Sequence, residues 1–193
     1  MAAKAAASIR ANNVTSLFQT FFKTTLNIHN HVTGILEEIA QEATQQGSGL
    51  VTYSCQPDSI TCQSGSSTQT GYASTDGYRA QVSTFPAYFQ LPQVSDDCSV
   101  LDQRTSTLHE LCHTKGILGY EVYAYSNVLG LDSQTAPKNA ESYAFFSKSV
   151  YLGCNGQFVS SGSSWGSLGG TGSTGNTGNS GSSWWNPFTN FGF

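Results

Sequence analysis

Two histidines four residues apart flank a glutamate in His109-Glu110-Leu111-Cys112-His113. In a helix, that spacing sets the two imidazoles on one face, about 40° apart around the axis. Both can then hold a single zinc ion. Glu110 is turned about 100° from His109, which puts its carboxylate beside the metal rather than on it. From there it can take a proton from a metal-activated water and return it to a leaving amine. The chemistry this pattern suits is hydrolysis of a peptide bond, with one Zn2+ per chain as cofactor and proteins or peptides as substrates. The bland alternative is a pair of structural histidines. His29 and His31, two apart at a helix junction, read as surface residues rather than a second site.

A catalytic zinc takes three protein ligands and keeps one position open. Glu121 is the nearest acid downstream, and Gly116 and Gly119 let the chain turn back toward the histidines. Asp132 is the next choice. Cys112 falls on the opposite side of the helix from Glu110, about 80° from the mean histidine direction. It reads as a buried apolar cysteine, with a thiolate near the metal as the alternative.

The elements that position these groups are legible from periodicity. Val14, Leu17, Phe18, Phe21, Phe22 and Leu26 follow helical spacing, as do Val32, Ile35, Leu36, Ile39 and Ala43. Leu50 to Ser54 reads as a strand. The stretch from Gln63 to Gly77 is rich in turn residues. Tyr78 to Leu91 reads as extended, limited by Pro86 and Pro92. The metal-binding helix is expected from Ser99, as N-cap, to Lys115, with Leu101, Leu108, Leu111 and Cys112 facing the core and Gly116 as its stop. A last helix runs from Asn139 to Leu152 and stops at Gly153. Residues 1–154 form the expected domain. Residues 155–193, rich in Gly and Ser and free of charge, form a flexible tail with an aromatic end.

Composition narrows the function classes. The chain has eight Lys and Arg and a net charge of −4, so it shows no electrostatic footprint for nucleic acid or an anionic membrane. No segment approaches the ~20 apolar residues of a membrane span. The alanine-rich start lacks the apolar run of a signal peptide. Five cysteines, at 55, 62, 98, 112 and 154, leave at least one unpaired within the chain. Disulfides would mark an oxidising compartment. A surface rich in uncharged polar residues suits a secreted protein, expected to be a monomer. Asn13-Val14-Thr15 is the one glycosylation sequon.

Thr105-Ser106-Thr107-Leu108-His109-Glu110 through His113 resembles deuterolysins, the fungal secreted neutral zinc proteases of the aspzincin group. So do Gly119-Tyr120-Glu121-Val122-Tyr123-Ala124-Tyr125-Ser126, Asn139-Ala140-Glu141-Ser142-Tyr143-Ala144 and Tyr151-Leu152-Gly153-Cys154. The resemblance spans residues 2–154. It implies an α+β, mainly helical zincin-like fold with a small antiparallel sheet. It also implies a signal and propeptide that this chain lacks, and a chain start inside the family's first mature helix. Cys98 and Cys154 match a family disulfide. Cys55 and Cys62 match half-cystines whose usual partners are missing, so they pair with each other or stay free.

Tyr123 matches the tyrosine that stabilises the oxyanion. The family pattern GTxDxxYG, aligned on Tyr123, places Tyr120 where the ligand Asp belongs and Glu121 one residue later, in a shortened loop. Ala124 stands at the final Gly. If Glu121 reaches the metal, the chain is an active endopeptidase. If it does not, the chain is a degenerate secreted homologue acting as a binding protein or effector. A third reading is a surface protein whose aromatic tail does the work.

Overall fold

The computed structural model describes residues 1–24, 28–55, 63–64, 67–75, 79–117 and 121–154. The expected tail, Cys62 and Tyr120 lie outside these, as does the question of whether Cys55 and Cys62 pair. The described chain combines helices with a small sheet, an α+β arrangement. Helix α1 (Ala2–Arg10) and helix α2 (Thr15–Phe22) precede α3 (His29–Ala43). In α2, Phe18, Phe21 and Phe22 fall at i, i+3 and i+4 and are all buried. The helix ends sooner than periodicity suggests, because Lys23 turns left-handed (φ 59°) and its Nζ donates to Leu129 O at 2.6 Å. Glu42 near the end of α3 is buried and accepts the N–H groups of Leu50 and Val51, both at 3.1 Å. It thereby fixes where the next strand begins.

Strand β1 is Val51–Ser54, β2 (Gln63–Ser64) and β3 (Ser67–Thr68) form a short hairpin, and β4 (Gly71–Thr75) and β5 (Ala80–Thr84) follow. The three-stranded sheet has the order β1-β5-β4. The expectation of an antiparallel sheet holds for half of it. β4 and β5 are antiparallel, Ala73 opposite Val82, but β1 and β5 are parallel, Val51 opposite Ala80. Residues 55–79 between them are long enough for the return that a parallel pair requires. The expected extended stretch also breaks after β5. Pro86 starts a 3-10 turn, Pro86–Gln90, because its ring presets a helical φ.

Helix α4 (Gln103–Thr114) carries the histidines, α5 (Tyr125–Val128) is one turn, and α6 (Ala140–Leu152) closes the domain. α6 is buried on nearly every side. It packs against α4 and also against α1 and α2. Rings of Phe18, Phe21, Phe22, Tyr125, Tyr143, Phe145 and Phe146 interlock beside it, mostly edge to face. β4 lies along α4, and Thr70, just before the strand, joins the helix through a Thr70–Ser106 hydroxyl contact of 3.1 Å. The Cys98–Cys154 disulfide is present, joining the segment before α4 to the end of α6.

Candidate metal centre

Helix α4 starts later than Ser99. Asp102 is its N-cap, accepting the Thr105 N–H at 2.8 Å and the Thr105 hydroxyl at 2.6 Å. Ser99 instead closes a turn onto Asp97. Leu108, Leu111 and Cys112 face the core as expected, whereas Leu101 is only half-buried and precedes the helix. At the other end Gly116 adopts φ +85°, a conformation open to glycine. The chain then doubles back so that the Ile117 carbonyl meets His113 Nδ1 at 2.7 Å.

His109 and His113 lie one turn apart, and their Nε2 atoms approach to 3.1 Å. Glu121 comes back over them. Its Oε2 lies 3.6 Å from His109 Nε2, and its Oε1 lies 3.2 Å from His113 Nε2. A tetrahedron with zinc bonds of 2.0–2.1 Å has edges of about 3.3 Å. Two imidazole nitrogens and a carboxylate oxygen at these separations fit zinc in chemistry and in span. Among the described residues these three form the one group of His, Cys, Asp or Glu side chains that could share a metal ion. Asp132 does not join them. It caps its own turn, accepting the Gln134 and Thr135 N–H groups. Nor does Cys112, which is fully buried in the hydrophobic core; burial, then the nearby Glu121, Glu141 and Glu110 carboxylates, push its thiol well above its ordinary pKa.

The hydrogen bonds assign the protons. His113 Nδ1 faces a carbonyl and must donate, so its Nε2 carries the lone pair. His109 Nδ1 donates to Glu141 Oε2 at 2.7 Å. Both Nε2 atoms are thereby turned toward each other and toward Glu121. Burial disfavours the charged form of His109, but Glu141, Glu110 and Glu121 outweigh it and raise its pKa to about 10. Burial and the neighbouring His109 charge lower His113 to about 4.

Glu110 is buried on the far side of the helix from the Cys112 side chain, beneath β4. Burial raises its pKa to about 7, with His109 opposing and Glu121 and Glu141 adding to the rise. That value suits a group that must both accept and release a proton near neutrality. Tyr123 is about half-exposed rather than core, and its ring stacks on His109 at 5.8 Å between centroids. Burial, then the nearby Glu121, Glu110 and Glu141 carboxylates, push its hydroxyl well above the ordinary pKa. Ala124, at the position of the family glycine, takes φ +69°.

Periodicity missed three contributors. Glu141 orients His109, Asn139 bonds to the loop beside Glu121, and Gly71 of β4 leaves room for Glu110. The available signal for Glu141 was an acid between Ala140 and Tyr143 in an otherwise apolar helix, where a buried charge needs a partner.

Residues 7–148 match the family profile described as aspzincin, lysine-specific metallo-endopeptidase. A neutral protease 2 homologue of Aspergillus fumigatus is 33% identical over 160 residues, which is 80% of this chain and 34% of that protein. A neutral protease 2 homologue of Arthroderma gypseum is 35% identical over 159 residues, 78% of this chain and 41% of that protein. Penicillolysin of Penicillium citrinum is 33% identical over 167 residues, 79% of this chain and 44% of that protein. The chain thus spans less than half the length of these relatives. With the profile covering most of its length, the chain belongs to the aspzincin family of metallo-endopeptidases.

Proposed function

We propose that this chain is a zinc-dependent endopeptidase of the zincin type, working outside the cell on proteins or peptides. His109, His113 and Glu121 hold the metal in this reading. The observation that carries it is the convergence of those three donors at tetrahedral-edge separations. Zinc bound there would polarise the scissile carbonyl and make a water acidic enough to attack near neutral pH. Glu110 takes the proton of that water and delivers it to the leaving amine. Its elevated pKa lets the same carboxyl do both. Glu141 holds His109 through Nδ1, leaving Nε2 to face the metal. Tyr123, stacked on His109, would donate its hydroxyl to the oxyanion of the attacked carbonyl.

The presence of a third donor supports an active enzyme over a degenerate homologue. The disulfide supports an oxidising compartment, and the described residues contain no helix long and apolar enough to cross a membrane.

The test is Glu110→Gln beside the double variant His109→Ala, His113→Ala. Glu110→Gln should keep one zinc per chain and lose casein cleavage by about 10²-fold or more, since an amide cannot accept the proton. The double variant should lose the zinc. Retained cleavage in Glu110→Gln, or stoichiometric zinc in the double variant, would exclude this site.

A further inference from the structure

Asn139 is the N-cap residue of α6 and is fully buried, yet its side chain makes no cap to the helix it begins. An N-cap asparagine ordinarily accepts an N–H two or three residues onward. This one reaches across to the loop before α5 instead. Its Oδ1 accepts the Val122 N–H at 3.0 Å, and its Nδ2 donates to the Val122 carbonyl at 3.2 Å. The second amide proton goes to Ser142 Oγ at 3.3 Å. Only one orientation of the amide satisfies both groups of Val122. Two bonds to one residue fix both the position and the tilt of its backbone, as a rung of a β-ladder does.

Val122 directly follows Glu121. Two residues further on, Ala124 sits at φ +69° and ψ 137°, a backbone conformation that L side chains rarely adopt. Such strain persists only where the surroundings over-determine the chain. The loop that carries the third donor is therefore strained at one end and pinned in the middle. The pin belongs to the same helix turn as Glu141, which orients His109.

We propose that Asn139 is a positioning residue that clamps the Val122 backbone and so holds Glu121 at the two histidines. This rests on the reading of Glu121 as a metal ligand. α6 then organises two of the three donors from its first turn, through Glu141 to His109 and through Asn139 to Glu121. Metal affinity, rather than fold stability alone, becomes the property that Asn139 sets.

The experiment measures zinc affinity of the full chain by competition with a chromophoric chelator, together with the visible spectrum of the Co2+-loaded protein. Asn139→Ala should weaken zinc by about tenfold or more, within the range for residues that orient metal ligands. Its Co2+ bands should move toward those of Glu121→Ala. Combined with Glu121→Ala it should add little, because a residue acting through Glu121 has nothing left to act on. Asn139→Ser keeps an uncharged, good N-cap residue but is too short to hold both groups of Val122, so it should fold and give a loss of the same kind. It decides the matter if Asn139→Ala fails to fold. Native-like zinc binding and Co2+ spectra in the Asn139 variants, with Glu121→Ala weakened, overturn this proposal alone. So does a loss that adds fully to that of Glu121→Ala. An unchanged Glu121→Ala overturns the ligand reading itself, and the clamp with it.

Discussion

Protons and zinc compete for the Nε2 atoms of His109 and His113. The Ile117 carbonyl holds His113 through Nδ1 and Glu141 holds His109 through Nδ1, so both Nε2 atoms face the site. Zinc needs both Nε2 lone pairs. The sign follows from the raised pKa: the surrounding carboxylates lift His109 to about 10, which favours its protonated form at neutral pH when no metal is bound. Zinc affinity should rise with pH, by about tenfold per unit where one proton is displaced. Calorimetry of zinc binding at pH 7, in buffers of different ionisation enthalpy, should read release of one proton or more. A heat independent of the buffer would remove the proton from this site. The convergence of His109 and His113 was legible in the sequence because an i, i+4 pair needs only a helix to bring it about. The protonation pattern was not, because Glu141 and Ile117 meet the rings only through tertiary packing and the turn at Gly116.

Between elements, the decisive contact is β4 against α4. A Cβ built on Gly71 would stand 2.9 Å from Glu110 Oε1 and 3.1 Å from its Cδ. The Glu110 carboxyl is buried and cannot swing into open water to make room. In the proposed mechanism Gly71→Ala should therefore displace it from its working position and lower kcat by about tenfold to 10²-fold, the usual scale for small misplacements of a catalytic group. Zinc content should not change, because the closest contacts of an added Cβ fall on Glu110 rather than on the three donors. Full cleavage activity in Gly71→Ala would show that Glu110 tolerates the shift.

β4 is also where sequence reasoning fell short. Gly71-Tyr72-Ala73-Ser74-Thr75 lacks apolar alternation, every residue in it is half-buried, and its neighbours are turn formers. It becomes a strand because β5 and α4 both offer it partners. The start of α4 failed for a related reason. Ser99 and Asp102 are both good caps by residue type, and the choice fell to Asp102 because Lys148 of α6 and the Ser95 N–H stabilise its buried carboxylate. The helices with clear 3.6-residue periodicity, α2 and α3, needed no such help, although their ends still shifted where Lys23 and Ile28 left the helical pattern.

Across the molecule, α4 and α6 are joined by three covalent or polar links: the Cys98–Cys154 disulfide, the His109–Glu141 bond and the Lys148–Asp102 ion pair of 3.2 Å. The last is buried on both sides, and Lys148 also donates to the Val100 carbonyl at 2.6 Å. Burial lowers the Lys148 pKa while Asp102 opposes the fall. For Asp102, burial raises the pKa but the Thr105 and Ser95 hydrogen bonds and the Lys148 charge outweigh it, so the net shift is downward. Lys148→Met removes the ammonium and leaves Asp102 buried with only Arg104, at 3.4 Å, as counter-charge. Loss of one partner of a buried pair costs about 3–5 kcal/mol, and the surviving hydrogen bonds place this variant at about 3 kcal/mol. The pH dependence discriminates the cause. A carboxylate whose folded pKa is lowered stabilises the fold above its unfolded value, about 3.9, and that contribution is lost as pH falls through the folded pKa. The gap between native protein and Lys148→Met should therefore be widest near pH 7 and shrink as pH falls below about 4 toward the lowered native pKa of Asp102, beneath which Asp102 is protonated in both. Adding Asp102→Asn to Lys148→Met should recover part of the loss, because no charge then remains buried. Urea unfolding with the disulfide intact reads all three. A single variant as stable as the native protein at pH 7 would mean that the pair does not hold α4 to α6.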